Sequence, residues 1–171
     1  HLFGSINSGY NDTIQGFTTT AGKLVFILKA HDGTEAKVTT DAAAFTSGAQ
    51  TSWTHLGFIA NIDGTGSTKT TLHVYVNGSQ VDVTKNVDNL TAALHFQWAT
   101  DKNLPIGAVN NQGTVSTNPY NNGGKIDEVS IWNAALDEAS VQAIYNKGGQ
   151  HDLTSGLSIG TGPLVAYYRM G

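Results

Sequence analysis

The chain has 171 residues, no cysteine, 20 glycines and a formal net charge of −4. This length suits one domain whose core needs no disulfide, and nine cations without a Lys/Arg run exclude the electrostatic footprint of nucleic-acid binding. No segment of the sequence approaches the ~20 apolar residues of a membrane-spanning helix. Only 13% of the chain is charged and just three residues are glutamate, so the composition favours an all-β protein over a helical one.

The first predicted element is a hairpin. Residues 24–28 are apolar on both faces of a strand, which is typical of a strand in the interior of a sheet. A turn signal follows at Asp32-Gly33, and residues 34–38 form the second strand pattern. We therefore predict an antiparallel pair whose first strand has neighbours on both sides.

Asn77-Gly78 is the strongest turn signal, because this dipeptide suits a type I′ hairpin turn with positive φ at both positions. A two-residue loop makes one face of the hairpin aliphatic and leaves Thr71, His73 and Tyr75 on a polar face, as in an antiparallel sheet covered on one side. The predicted pairs are Val76 with Ser79, Val74 with Val81, and Leu72 with Val83.

Further strands are predicted at residues 53–60, 94–98, 104–109, 125–133 and 164–169, between loops rich in Gly, Asn, Ser and Thr. Seven or eight strands at this spacing indicate a sandwich or a jelly roll.

One helix is predicted, over residues 138–146. Asp137 can cap its first turn, Val141, Ile144 and Tyr145 follow helical spacing, and the glycines at positions 148 and 149 can end it. No linker or repeat divides the chain, so residues 1–171 are predicted to form a single domain.

The order of these motifs resembles the laminin G-like and pentraxin-like modules of the concanavalin A-type jelly roll. The resemblance rests on Trp-Thr-His-Leu at residues 53–56, Leu-His-Val-Tyr-Val-Asn-Gly at 72–78, Leu-Pro-Ile-Gly at 104–107, and the stretch from Gly-Lys-Ile-Asp-Glu-Val to Ala-Ala-Leu at 124–136. It implies an all-β jelly-roll sandwich of two antiparallel sheets with one short helix. The ending at residues 164–171 is similar to that of such modules in bacteriophage proteins.

The beginning of the chain departs from this family pattern. Residues 1–20 contain neither of the two opening strand motifs typical of the family. We therefore expect a domain that lacks its first strand or strands and is a fragment of a larger surface protein.

The acidic residues do not suit glycoside hydrolysis, although glucanases occur among relatives of this fold. Such enzymes place two carboxylates on one face of a strand. Asp127 and Glu128 are adjacent, so they would point to opposite faces, and Glu35 and Glu138 fall in a turn and at a helix start. We expect a protein that is not an enzyme; the alternative, a glycan hydrolase, would lose its turnover in Glu128→Gln.

The metal that the resemblance implies is calcium, and Asp127 is the position that matches the family motif. The alternative interpretation is that Asp127 or Glu128 only accepts a hydrogen bond from a loop backbone. The six histidines show no H-x-H or H-x-x-x-H pair, which argues against a transition-metal site. His55 is interpreted as a histidine hydrogen-bonded inside or beside the sheet.

The candidate glycan-binding residues lie in a polar loop, residues 116–123. A sugar needs an aromatic ring for its C–H face and amides for its hydroxyls, and this loop offers Asn118, Tyr120, Asn121 and Asn122. Alternatively, Tyr120 packs under its own loop. The three tryptophans lie on predicted strands and are expected in the core.

The predicted function is a non-enzymatic module for surface adhesion or carbohydrate recognition, on a virion (phage fibre, tail or decoration protein) or on an extracellular protein. Its expected partners are a surface glycan, neighbouring virion or extracellular chains and, for a homo-oligomer, copies of itself. The alternative is a purely structural domain that assembles virions or filaments.

Overall fold

The computed structural model describes residues 1–6, 13–30, 32–46, 51–62, 70–90, 104–111, 114–115, 124–146, 153 and 164–169. Within these residues the chain forms twelve strands and one helix, more numerous and shorter strands than the seven or eight predicted. They are β1 Phe3–Ile6, β2 Thr13–Thr18, β3 Leu24–Lys29, β4 Glu35–Thr40, β5 Leu56–Ile62, β6 Thr70–Val76, β7 Ser79–Gln80, β8 Val83–Asp88, β9 Asn110–Asn111, β10 Thr114–Val115, β11 Val129–Trp132, α1 Glu138–Tyr145 and β12 Leu164–Tyr168.

The largest sheet has seven strands in the order β10-β9-β1-β2-β3-β4-β8. Its neighbours pair antiparallel except β1 and β9, which run parallel. The predicted hairpin is confirmed, with Phe26 of β3 opposite Val38 of β4 and Gly33 at a φ of 85° in the turn. β3 also pairs with β2, so it has neighbours on both sides as predicted.

β1 and β2 are strands that the sequence patterns did not predict. They pair with Phe3 opposite Gly16, and a Cβ at Gly16 would lie 2.5 Å from the Phe3 ring. Glycine therefore lets this ring lie against the sheet and meet Phe26 and Phe58, with ring centroids 6.5 and 5.3 Å away. Residues 1–20 thus contain two strands where none was predicted. That the domain of residues 1–171 lacks the first strand or strands of the family stays a prediction.

A second sheet has the order β5-β6-β7, and its hairpin confirms the predicted turn. Asn77 and Gly78 have φ of 51° and 78°, as a type I′ turn requires. Val76 lies opposite Ser79 as predicted.

The hairpin is shorter than predicted, because its second strand leaves the sheet. Val83 pairs with Thr40 of the seven-stranded sheet, and not with Leu72. The transfer occurs at Asp82, whose backbone carbonyl accepts a hydrogen bond from the N–H of Asp41 at 2.9 Å. Val83 still packs on the same core, which is why its hydrophobicity alone could not distinguish the two pairings.

The core lies between the seven-stranded sheet and the inner face of β5 and β6. Alternate side chains of β3 and β6 meet there, each at most 5% exposed: Leu24, Phe26, Leu28, Leu72 and Val74. Burial of each such side chain contributes about 1.5–3 kcal/mol. Two face-to-face sheets around one core form the jelly-roll sandwich predicted from the sequence.

Helix α1 covers the outer face of the second sheet, which was predicted to be polar. Tyr75 is only 4% exposed there and forms a buried cluster with Ile59 and Val141. Asp137 caps the helix as predicted. The helix ends at Tyr145, followed by Asn146 in the left-handed conformation, and the glycines expected to end it lie outside the described residues.

The remaining predicted strands are shorter than expected or not described. Residues 104–109 contribute only a bridge between Ile106 and Phe3, since Pro105 and a positive φ of 75° at Gly107 interrupt the extended chain. Regular pairing in this part begins with β9. β11 and β12 form a separate two-stranded sheet within the predicted segments, and residues 94–98 lie outside the described residues.

Candidate functional site

The glycan-binding candidates of the polar loop, Asn118, Tyr120, Asn121 and Asn122, lie outside the described residues. The described chain reaches this segment from β10, the strand at one edge of the seven-stranded sheet, and resumes at Gly124. The glycan-binding role of these four residues stays a prediction.

Asp127 and Glu128 lie just before β11, and each has a partner. The Oδ1 of Asp127 accepts a hydrogen bond from the backbone N–H of Glu128 at 2.8 Å, and Glu128 adopts a positive φ of 54°. The Oε1 of Glu128 accepts a hydrogen bond from Nε of Arg169 at 3.3 Å. One contact of Asp127 is thus a hydrogen bond from a loop backbone. Its metal role stays a prediction.

Metal-binding side chains are not clustered in the described part of the chain. No group of three or more His, Asp or Glu residues lies together there. Calcium takes six to eight oxygens, so Asp127 alone is not a calcium site. A calcium site at Asp127 would need further oxygen ligands from other residues.

Trp53 is not in the core, contrary to expectation. It lies before β5 and is 66% exposed, the highest value among the large apolar side chains of the described residues. The reason is the register between β5 and β6. β6 ends at Val76, which pairs with Leu56, so Trp53 has no pairing partner on β6. The pairing of β5 with β6 was not among the predicted pairs, so the sequence analysis placed Trp53 in a core strand.

Trp132 is less exposed than Trp53. Trp132 is half-buried on β11 and its Nε1 donates a hydrogen bond to the Ser130 hydroxyl at 3.1 Å. Trp98 lies outside the described residues.

The backbone beside Trp53 is fixed by the hairpin turn. The N–H of Asn77 donates to the carbonyl of His55 at 2.9 Å, and the N–H of His55 donates to Oδ1 of Asn77 at 3.0 Å. The side chain of Asn77 thereby accepts the bond from the His55 N–H in place of a backbone carbonyl. These two bonds hold residue 55 against the tip of the hairpin.

The His55 ring fits between this tip and the end of α1. Its centroid lies 5.6 Å from that of the Tyr145 ring, and Tyr145 also packs on Gly78, where a Cβ would come within 2.6 Å of the tyrosine ring. The Nδ1 of His55 is buried without a hydrogen-bond partner, and burial lowers the pKa of His55. The backbone of His55 is hydrogen-bonded beside the sheet as interpreted, but its ring Nδ1 is not.

Tyr75 completes the contact between the sheet and α1. Its hydroxyl donates to Oε1 of Gln80 at 3.2 Å. Burial, with smaller effects of the Glu138 and Asp137 charges, raises the pKa of Tyr75, so it remains a neutral hydrogen-bond donor. Tyr75 therefore packs the second sheet against α1 from a buried position.

An antiparallel β-sandwich with one short helix and surface loops belongs to a class of binding and structural modules. A laminin G-type family model matches residues 2–142, and the chain belongs to the concanavalin A-like lectin/glucanases superfamily. This confirms the resemblance inferred from the motifs. The comparisons with curated proteins and with solved structures gave no significant match.

Family membership supports a carbohydrate-binding or structural module. Laminin G-like domains are typically non-enzymatic and extracellular or surface-exposed, although the superfamily includes glycan hydrolases. In the described part of the chain, no helix is long and apolar enough to cross a membrane.

Proposed function

We propose that this domain is a non-enzymatic carbohydrate-recognition and adhesion module on the surface of a virion or of an extracellular protein. The observation that carries the proposal is the family match over residues 2–142. The hydroxyl- and amide-rich, weakly charged composition supports it, because such side chains exchange hydrogen bonds with sugar hydroxyls.

The positions of the glutamates support binding without hydrolysis. Retaining and inverting glycosidases need two carboxyl groups about 5–9.5 Å apart across the scissile bond. Glu35 begins β4, Glu128 bonds to Arg169, and Glu138 lies on α1. These three glutamates therefore do not form the arrangement of two carboxylates on one face of a strand, and one of them is ion-paired.

The ligand loop of the proposal is residues 116–123. Tyr120 would stack on the sugar, and Asn118, Asn121 and Asn122 would bond its hydroxyls. If calcium is bound, Asp127 would contribute one carboxylate, and the other oxygens would come from backbone carbonyls or from this loop.

A glycan array tests the proposal, with the protein at neutral pH in calcium and in excess chelator. We expect binding that Tyr120→Ala and Asn121→Ala weaken, whereas Tyr168→Ala, an exposed aromatic on β12, leaves it unchanged. Loss of binding in chelator would support the metal role of Asp127. No binding in either condition contradicts carbohydrate recognition.

The exposed side chains of β12 favour a second function, the structural assembly of virion or extracellular chains. Val165 is 61% exposed and Tyr168 is 49% exposed, and both would be covered in a subunit contact. This function predicts that Val165→Asp disrupts assembly while Tyr120→Ala leaves host-cell adsorption intact.

A further inference from the structure

We infer that Trp53 is a stacking platform for an uncharged sugar, on a surface formed by the hairpin tip and the end of α1. We call this the hairpin-tip surface; its residues are Trp53, Asn77, Ser79, Tyr145 and Asn146. The inference rests on the proposed carbohydrate function, and it adds a second contact area and a ligand class.

Exposure of Trp53 alone does not carry the inference, because single apolar residues are common on protein surfaces. What sets Trp53 apart is the rigidity of its attachment. His55 follows Trp53 by two residues, and its backbone is held by two hydrogen bonds with Asn77, at 2.9 and 3.0 Å. Because two residues span at most about 7 Å of extended chain, Trp53 lies within that distance of the fixed residue.

The ring contacts behind the hairpin add to this rigidity. His55 packs on Tyr145 at a centroid distance of 5.6 Å, and Tyr145 lies against Gly78 so closely that any larger residue there would clash with it. The exposed Trp53 therefore lies two residues before a fixed part of the backbone. An indole has two side-chain torsions, so the tryptophan side chain loses little conformational entropy when a ligand stacks on it.

The chemistry around Trp53 selects the ligand class. Residues 51–57, 74–81 and 140–146, which supply the strand start, the hairpin and the end of α1, contain no Asp, Glu, Lys or Arg. The nearest charged residues along the chain from the last two segments are Asp82, Glu138 and Lys147. They offer exposed hydroxyls and amides, including Ser79 and Asn146. An indole face pairs with the apolar C–H face of a pyranose, and neutral donors and acceptors bond its hydroxyls. A sulfated or sialylated sugar would find no cation in these three segments.

A protein partner fits this surface less well than a sugar. Protein interfaces have a contiguous apolar centre. The other exposed large apolar side chains of the described residues lie elsewhere: Ile62 at the opposite end of β5, Val115 on β10, and Val165 and Tyr168 on β12. A single aromatic ring among amides and hydroxyls has the composition of a sugar contact.

The test measures affinity for a panel of neutral glucans, mannans and galactans, with sulfated and sialylated glycans beside them. We expect binding to neutral glycans, a loss of about tenfold in affinity in Trp53→Ala, and a smaller loss in Trp53→Phe, which keeps an aromatic face. Tyr168→Ala is the matched control, because it removes an exposed aromatic from a different element. The melting temperature of Trp53→Ala should equal that of the wild type, since the side chain is exposed.

The possible failures can be told apart. Full affinity for neutral glycans in Trp53→Ala, together with loss in Tyr120→Ala, overturns this inference and leaves the proposed function standing. Preference for acidic glycans overturns the ligand class. Absence of all glycan binding overturns both proposals. Self-association that Trp53→Ala abolishes, without any change in glycan affinity, would show that Trp53 is a protein contact and overturn the inference.

Discussion

His55 combines two features that oppose protonation. Its ring is half-buried against Tyr145, and its Nδ1 is removed from solvent without a hydrogen-bond partner. A positive charge on this ring would lose its hydration, and the surrounding rings offer no equivalent interaction. Burial therefore lowers the pKa of His55 below the ordinary value of 6.5. The contact between the hairpin tip and α1 should therefore be strongest when this ring is neutral.

The stability of the protein should consequently decrease as the pH falls below about 6.5. In that range the unfolded chain binds a proton at residue 55 that the folded chain does not, which favours unfolding, with a slope of at most about 1.4 kcal/mol per pH unit. Above this range the contribution is fully present. The measurement is denaturant unfolding of the wild type and of His55→Asn between about pH 5 and pH 8. Other groups titrate in both proteins, so the difference between the two slopes of unfolding free energy against pH gives the contribution of His55.

Equal slopes for the two proteins below pH 6.5 would contradict this origin of the pH dependence. His55→Phe is a second variant that keeps a ring against Tyr145 without a titrating nitrogen. It should also lack the slope, and it controls for loss of packing in His55→Asn.

Trp53 shows how far a local pattern can predict a candidate site. Its aromatic character and the motif around it indicated a core strand residue, since tryptophan is usually well buried. Its exposure depends on where the partner strand ends, which is a property of residues 76–78 and not of its own neighbours. The contact between Tyr145 and Gly78 joins positions 67 residues apart, and no periodicity in the sequence encodes it.

Helix α1 has a start that the sequence specifies locally. Asp137 lies outside the helix with an extended backbone, and its carboxylate accepts a hydrogen bond from the N–H of Ser140 at 2.8 Å. This bond satisfies one of the donors that the first helical turn leaves without a partner. The bonds from the Ser140 side chain and backbone lower the pKa of Asp137.

Asp137→Ala should lower the melting temperature by about 2–4 °C, because the cap is lost while the buried contact of Val141 remains. Asp137→Asn is the control, since an amide oxygen can accept the same bond. Because the folded-state pKa of Asp137 is lowered, its contribution is present above the unfolded value of 3.8 and is lost as the pH falls through the folded pKa. A melting temperature unchanged in Asp137→Ala would show that tertiary packing alone determines where α1 begins.

The elements differ in how well their own residues predict them. The Asn77-Gly78 turn and the cap at Asp137 are encoded in a few adjacent residues, and both predictions are confirmed. The partner of Val83 is not encoded locally, because an aliphatic side chain suits either sheet of a sandwich that shares one core. β1 and β2 have Gly beside Ser or Gln between their aromatic and β-branched residues, which interrupts the strand pattern. Their pairing therefore depends on neighbouring strands that the local pattern does not show.

At the scale of the whole molecule, the two facing sheets are joined by chain crossings as well as by their core. β8 follows the hairpin of the second sheet in sequence, yet it pairs along β4 of the first. The hydroxyl of Thr84 on β8 donates a hydrogen bond at 2.6 Å to Oδ1 of Asp41, the residue that follows β4. A chain that alternates between sheets cannot lose one sheet without exposing the apolar face of the other.

Substitutions in either sheet should therefore destabilise the same cooperative unit. Leu28→Ala in the first sheet and Leu72→Ala in the second remove side chains that are 1% and 5% exposed, and each should lower the free energy of unfolding by about 2–5 kcal/mol. Val165→Ala, at a side chain that is 61% exposed, should change it by less than about 0.5 kcal/mol. Calorimetry and circular dichroism should give one coincident transition for each variant. Two separated transitions in Leu72→Ala would mean that the second sheet melts on its own and that the shared core does not couple the sandwich.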